Sequence, residues 1–312
     1  MMTTAVFTAE RACWICGSTR LRPVHEAVFE LAIYDTQDPA LAGYTGSRVE
    51  LMRCAECGFG QPNELPALDR YFDRMYDQRW SREWIQSEFT STSKDLIFNG
   101  ILSELDRRLP PARRRLLDVG AHAGRFVAMA RGAGWRVEGI ELNPQTAAYA
   151  AERTGVTIRR VNVHQMDARD TFDAVTITDV LEHVPHPSRV LERIASLLAP
   201  DGWIAVKVPA GPAQLTKETW RGRLWRSYRP TVADNLVHVS HFSPGALALA
   251  LQRAGFVDVS VMPGAPELYE GHSMTRRLDR LVRRGLYTLA RLLPGGVHLP
   301  ISLNLQAYGR RP

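Results

Sequence analysis

The sequence predicts an α/β protein, a doubly wound and mostly parallel sheet preceded by a small metal-binding module. Three observations carry this reading. Strand and helix patterns alternate from Leu116 onward, a glycine-rich turn closes the first of those strands, and all four cysteines fall in two Cys-x-x-Cys-Gly pairs before residue 58. With 312 residues, 45% of them hydrophobic and 23% charged, the chain suffices for one domain of ordinary size plus a small appendage, which excludes disordered and fibrous classes. No apolar run approaches the roughly 18 to 20 residues of a bilayer span, and Met1 to Glu10 lacks a basic start followed by an apolar stretch. A soluble, cytoplasmic protein is expected.

The first segment, 1–62, holds Cys13-Trp-Ile-Cys16-Gly and Cys54-Ala-Glu-Cys57-Gly. Each pair reads as a zinc knuckle: the tight turn lets two thiolates converge on one tetrahedral ion, and the following Gly tolerates a positive φ. Disulfides or free thiols are the alternative, and a cytosolic setting disfavours the former. A closed site of four thiolates leaves no position for water, so the zinc is expected to hold a fold. Val24 to Ile33 and Arg48 to Arg53 read as strands, joined by the Gly/Pro/Asp-rich stretch from Asp35 to Ser47.

Pro62 and Pro66 mark a boundary. Segment 63–112 follows as a helical linker or lid, in which Tyr71, Phe72, Tyr76, Trp80, Trp84 and Phe89 form either a face packed on a core or a cover over a cleft. The run Arg113-Arg114-Arg115 reads as a solvated lead-in to a strand. Domain 113–312 then gives strand Leu116–Val119, helix Arg125–Gly132, strand Arg136–Ile140, helix Pro144–Arg153 and strand Val156–Arg160. Next come strand Ala174–Thr178, helix Arg189–Leu198, strand Trp203–Val208, helix Pro244–Ala254 and strand Phe256–Val261.

Sheets of this type bind ligands beyond the C-terminal ends of their strands. The first such loop, Asp118-Val-Gly120-Ala-His122-Ala-Gly124, has two glycines that let backbone approach a ligand. It lacks the middle Gly of a dinucleotide fingerprint, and it carries an acid where a pyrophosphate would be repelled. Strand two ends at Glu141, 21 residues beyond Gly120, where a carboxylate accepts hydrogen bonds from both hydroxyls of a ribose. Adenosine in NAD or in S-adenosylmethionine satisfies that equally.

Four stretches in order, LLDVGAHAGRF, GIELN, FDAVTITDVLEHVPHP and LLAPDGWIAVKVP, separate the two. With them the sequence resembles the class I S-adenosylmethionine-dependent methyltransferases over residues 116 to 208. The resemblance implies a seven-stranded Rossmann-like sheet and S-adenosylmethionine as cofactor. It places Asp118, Gly120 and Gly124 along the methionine moiety, Glu141 on the ribose, Asn162 near adenine, and His122 and Asp179 in the same cofactor-facing set. His122 replaces a usual Gly, where a side chain would crowd the cofactor.

Methyl transfer to a hydroxyl or carbon acid needs an aligned acceptor, a dry site and a base, and His is the residue suited to the last role near neutral pH. His238 is the favoured base and His241 the second, because their loop follows strand five. His183 belongs to the family's recurrent Glu-His pair, where it shapes the site. The stretch Trp220-Arg221-Gly-Arg223-Leu-Trp225-Arg226-Ser-Tyr228-Arg229 is either a solvated face or a grip on a phosphate and a stacked sugar or base. The four-Cys module joined to this core is similar to methyltransferases of deoxysugar and surface-glycan pathways. Val237-His238 and His241-Phe242-Ser243 stand where the sugar C-methyltransferases have Glu-His and aromatic-Phe-Ser. Those relatives carry a third domain that this sequence does not reach, so methylation of a hydroxyl on a sugar, nucleotide sugar or glycan precursor is the expectation. An RNA methyltransferase with an N-terminal zinc ribbon and a non-catalytic adapter with a degenerate cofactor site are the rivals.

Net charge is +6, but residues 271–312 alone hold eight Arg against the single acid Asp279, leaving 31 basic and 32 acidic groups in the rest. A basic face for nucleic acid is therefore not expected. Within the tail, Leu278, Leu281, Val282, Leu286, Leu289 and Leu293 recur at helical spacing with Arg beside them. A helix packed on the domain is the ordinary explanation, and peripheral contact of 275–293 with anionic lipid the sharper one. Leu303 to Tyr308 resembles the fold's closing antiparallel strand. Nothing in the sequence fixes an oligomeric state.

Overall fold

The computed structural model describes residues 5–29, 31, 38–76, 80–167, 169–224 and 238–312. At its centre is a seven-stranded sheet. Strands β6 (Arg115–Val119), β7 (Arg136–Ile140), β8 (Ile158–Arg159), β9 (Phe172–Thr178), β10 (Leu198–Pro209), β11 (Val257–Gly264) and β12 (Asn304–Arg310) lie in the order β8-β7-β6-β9-β10-β12-β11. Strands β8 to β10 run parallel, and β12 is antiparallel to both of its neighbours. The order reverses at β6, which pairs with β7 on one side and β9 on the other, so the loops leaving β6 and β9 part there and open a crevice.

Residues alternate between the two faces of the sheet. Leu116, Ala174, Trp203, Ala205 and Tyr308 join the core beneath α4 (Asp95–Arg108) and α5 (Arg125–Gly132). Their neighbours Leu117, Val175, Ile204 and Val206 join the core beneath α7 (Pro187–Leu197) and α9 (Pro244–Arg253). The apolar spacing Val190, Leu191, Ile194, Leu197 puts one face of α7 into that core. Helix α6 (Pro144–Thr154) starts on an Asn143 side chain that accepts from two backbone amides. The strand expected over Val156–Arg160 shrinks to two residues. Helix α8 (Gly211–Leu224) occupies part of the Arg- and aromatic-rich stretch, whereas Trp225, Arg226, Tyr228, Arg229 and Val237 lie outside the described residues.

The N-terminal module consists of β1 (Phe7–Ala9), β2 (Leu21–Val28), α1 (Pro39–Ala42), β3 (Arg48–Cys54) and β4 (Gly60–Pro62). It is completed by β5 (Glu64–Pro66), which pairs with β1, so the segment expected to begin a linker supplies the module's last strand. Between the knuckles, Phe29, Leu41, Tyr44 and Val49 build a small core with Tyr71 of α2 (Tyr71–Tyr76). The module is docked on the sheet domain. Cys13, Trp14, Ile15, Cys54 and Phe59 are continuous with the core under α9, and the Phe59 and Phe242 rings meet edge-on at 5.1 Å.

Two expectations change. The Arg113–Arg115 run is half-buried and ion-paired: Arg113 meets Asp173 at 2.9 Å, Arg115 meets Glu138 at 3.4 Å, and Arg114 bonds Asp106 while lying over the Trp135 ring. The tail helix α10 (Met274–Leu292) forms as expected, but its apolar stripe is not packed. Leu278, Leu281, Val282 and Leu289 face solvent, while Ala290 is buried.

Candidate functional site

The four cysteine sulfurs all lie within 4.8 Å of one another, with Cys13 Sγ to Cys57 Sγ at 3.5 Å and Cys16 Sγ to Cys54 Sγ at 3.4 Å. A disulfide requires about 2.05 Å, whereas four thiolates at about 2.3 Å from one tetrahedral ion stand roughly 3.8 Å apart. The two knuckles repeat one geometry. In each, the Gly amide donates to the first Cys carbonyl, Gly17 to Cys13 at 2.8 Å and Gly58 to Cys54 at 3.0 Å. Both glycines have the positive φ the turn needs. The site thus has the shape and donor set that zinc takes.

The crevice at the switch point is a cavity of about 1030 Å³. On one wall Asp118, one residue before the end of β6, is 4% exposed, with Thr176 Oγ1 donating to it at 2.7 Å. Burial, with the charge of Glu141 added, pushes its carboxyl up to about 7. Gly120 follows at φ +81°, and a Cβ there would stand 2.3 Å from Val180 Cγ2. That position admits only Gly. Gly124 starts α5 at φ +87°, with a Cβ excluded by Ala150 at 2.9 Å.

Glu141 accepts from the Asn143 amide at 2.8 Å and, through its other oxygen, from the His122 amide at 2.8 Å. Burial raises its carboxyl above the ordinary value against those two donors. Each oxygen keeps a second lone pair, so the carboxylate is oriented without being used up. His122 adopts φ +47° in place of the usual glycine. Its ring lies edge-on to Trp84 at 5.5 Å, and both residues line the cavity. Asn162 reaches the same wall, where its side chain accepts from the His164 amide at 3.1 Å as a cap. Trp80 and Trp84, stacked at 4.5 Å, line the cavity with Tyr71. Trp84 stands on α3 (Arg82–Thr90).

The opposite wall is made differently. Asp179, at φ +54°, receives Lys94 Nζ at 2.7 Å and also Lys207, which is 1% exposed on β10 and reaches Glu267 at 3.4 Å. Burial would raise the Asp179 carboxyl, but the two ammonium charges outweigh it and hold it below the usual range. Two of the chain's three lysines thus serve one carboxylate, a network the sequence does not announce.

Beside it Glu182, His183 and His238 have ligating atoms within 4.8 Å of one another, and the His183 and His238 rings meet at 4.7 Å. Glu182 is 2% exposed, and its Oε2 has no hydrogen-bond partner among the described residues. Burial, reinforced by the charge of Asp179, pushes its carboxyl up to about 8. This residue was missed in the sequence, although the Glu-His pair was its signal. His238 is held down to about 3 by burial and then by His183 and His241, so it stays uncharged.

Gln214 of α8 stands 3.0 Å from Nδ1 of both His238 and His241. One end of an amide donates and the other accepts, so the two imidazoles hold complementary tautomers. His241 does not line the cavity. It is 1% exposed, and its backbone exchanges two hydrogen bonds of 2.9 Å with Gly60 of the N-terminal module.

A family described as "Methyltransferase domain" matches residues 95–261, more than half of the chain. Ubiquinone biosynthesis O-methyltransferase of Thiobacillus denitrificans is 33% identical over 107 residues, covering 32% of this chain and 46% of that protein. The namesake of Paracidovorax citrulli is 37% identical over 153 residues, 46% of this chain and 60% of that protein. The chain thus spans about half the length of the curated relatives it matches. Among solved structures, Haemonchus contortus phosphoethanolamine N-methyltransferase 2 in complex with S-adenosyl-L-methionine aligns at a TM-score of 0.53 and 16% identity, covering 94% of this chain and 68% of that one. That likeness shows the Rossmann-like methyltransferase fold. The chain belongs to the methyltransferase-domain family.

Proposed function

We propose that this member of the family moves the methyl group of S-adenosylmethionine to a hydroxyl of a small-molecule acceptor, most specifically a sugar, nucleotide sugar or glycan precursor. The observation that carries it is a single cavity with two unlike walls, an oriented carboxylate pair on one side and a carboxyl–imidazole cluster on the other. Relatives named O-methyltransferases, at 33 to 37% identity over part of the chain, support a hydroxyl acceptor.

When bound, the cofactor supplies an electrophilic methyl carbon. The rest falls to this chain. Glu141 takes the ribose hydroxyls on its free lone pairs, Asp118 and the bare backbone at Gly120 and Gly124 line the amino-acid end, Asn162 stands near the adenine, and Trp80 and Trp84 keep water out. His238 accepts the acceptor's proton at Nε2 when Gln214 turns its carbonyl to the Nδ1–H. An imidazole so depressed is a weak base near neutral pH, where Glu182 beside it still holds its proton; ionisation of Glu182 above about 8 favours the imidazolium and raises its basicity. His183 positions His238. Cys13, Cys16, Cys54 and Cys57 would hold a zinc ion with no open position, and that ion would serve to hold the module.

Calorimetric titration with S-adenosylhomocysteine tests the reading first, with binding in the micromolar range expected. Transfer of labelled methyl to a panel of nucleotide sugars tests the acceptor. No heat and no thermal shift would reject the enzyme and leave the adapter.

A further inference from the structure

We infer that α10 is an in-plane anchor that docks this protein on an anionic lipid bilayer. At about 100° per residue the helix divides into three arcs. Met274, Leu278, Leu281, Val282, Leu289 and Leu292 fall within one arc of about 100° and are 46 to 79% exposed. Asp279, Arg283, Tyr287 and Ala290 fall on the arc that meets the sheet domain. There Arg283 bonds Asp279 at 2.9 Å and lies over the Tyr269 ring. Arg277, Arg280, Arg284 and Arg291 occupy the third arc. The helix is held through Tyr287, Ala290 and the Arg283–Asp279 pair and leaves most of its leucines exposed.

Six large apolar side chains in one continuous stripe are not ordinary surface. The charge beside them selects the occupant. A second copy would bring Arg row against Arg row, whereas anionic headgroups pair with guanidinium while acyl chains receive the leucines. No helix among the described residues is long and apolar enough to cross a membrane, so α10 lies along the surface.

The segment before α10 is tied to the cavity rim. Glu270 accepts from the Thr92 amide at 2.8 Å, the Leu268 amide donates to Ser93 at 2.8 Å, and Ser93 and Glu267 line the cavity. Docking through α10 therefore holds the cleft close to the headgroup layer.

Co-sedimentation of the full chain with vesicles tests this without reference to methyl transfer, so the two readings fail separately. Strong binding is expected to vesicles of equal parts phosphatidylcholine and phosphatidylglycerol, falling with salt, and little to phosphatidylcholine alone. Leu278→Glu with Leu281→Glu should abolish it at unchanged circular dichroism, since both side chains are exposed. Arg277→Ala with Arg284→Ala should weaken it about fivefold per charge removed. Equal binding to both vesicle types, no binding to either, or a dimer in solution that the Leu278→Glu, Leu281→Glu variant dissolves would each overturn the anchor, the last in favour of a second copy.

Discussion

Glu141 is positioned by amides 2 and 19 residues away, inside one strand–loop–helix unit, and keeps its place by local rules alone. His238 faces it across the same cavity and is held by long-range ties. Gln214 comes from another helix, and the segment 238–243 is bridged to Gly60 and bonded by the Ser243 hydroxyl to the Cys57 carbonyl, 186 residues distant. One wall is written in a motif, whereas the other draws in addition on contacts with the docked N-terminal module. Disturbing the module should therefore reach the histidine wall and spare the carboxylate wall.

The largest effect is expected from Cys16→Ser, which should lose zinc and on the order of 5 kcal/mol of stability. Metal analysis and denaturant titration check this; a fully metallated variant of equal stability would remove the zinc knuckles. About 4 kcal/mol follows for Asp118. Its folded carboxyl, raised to about 7, keeps a proton that the unfolded chain has released from about 3.8 upward. The folded form thus binds more protons in that window, and the ligand-free protein should lose stability as pH rises from about 4 to 7. Asp118→Asn should flatten that slope relative to wild type, and parallel curves would place Asp118 in water.

Next in size is a crossed pair. Glu141→Ala should weaken S-adenosylhomocysteine about 10- to 100-fold, and His238→Ala should cut kcat about 100-fold at unchanged cofactor affinity. If both variants altered the same constant, the division of the cavity would fail. Smallest is Ser243→Ala, about 1 kcal/mol. It removes the N-cap of α9, where Ser243 accepts from Ala246 at 3.0 Å, together with the tie to Cys57. Its useful signature is faster hydrogen exchange at His241 with none at Glu141.

The same contrast explains what could be read beforehand. Strands β6, β7 and β9, the turn at Gly120 and the acid at 141 follow from period, glycine placement and spacing, all local properties. The cysteine pairs were equally plain, because knuckles are four-residue units. Glu182 was passed over although the Glu-His pair pointed to it, because its burial and its Oε2 without a partner among the described residues belong to the folded site. Lys94 and Lys207 meet Asp179 from 85 and 28 residues away, and no spacing rule joins them. In α10 the periodicity gave the stripe but not its direction, which depends on what the opposite arc, with Tyr287 and Ala290, finds to pack against.

The bond from the Arg253 guanidinium to the Ile15 carbonyl, 2.6 Å long, joins positions 238 residues apart. A ribosome adding roughly 5 to 20 residues per second delivers the second position about 12 to 48 seconds after the first. For the later part of that interval the cysteine module waits with its docking surface uncovered, and a metal captured by its four cysteines would hold it in shape until its seat arrives.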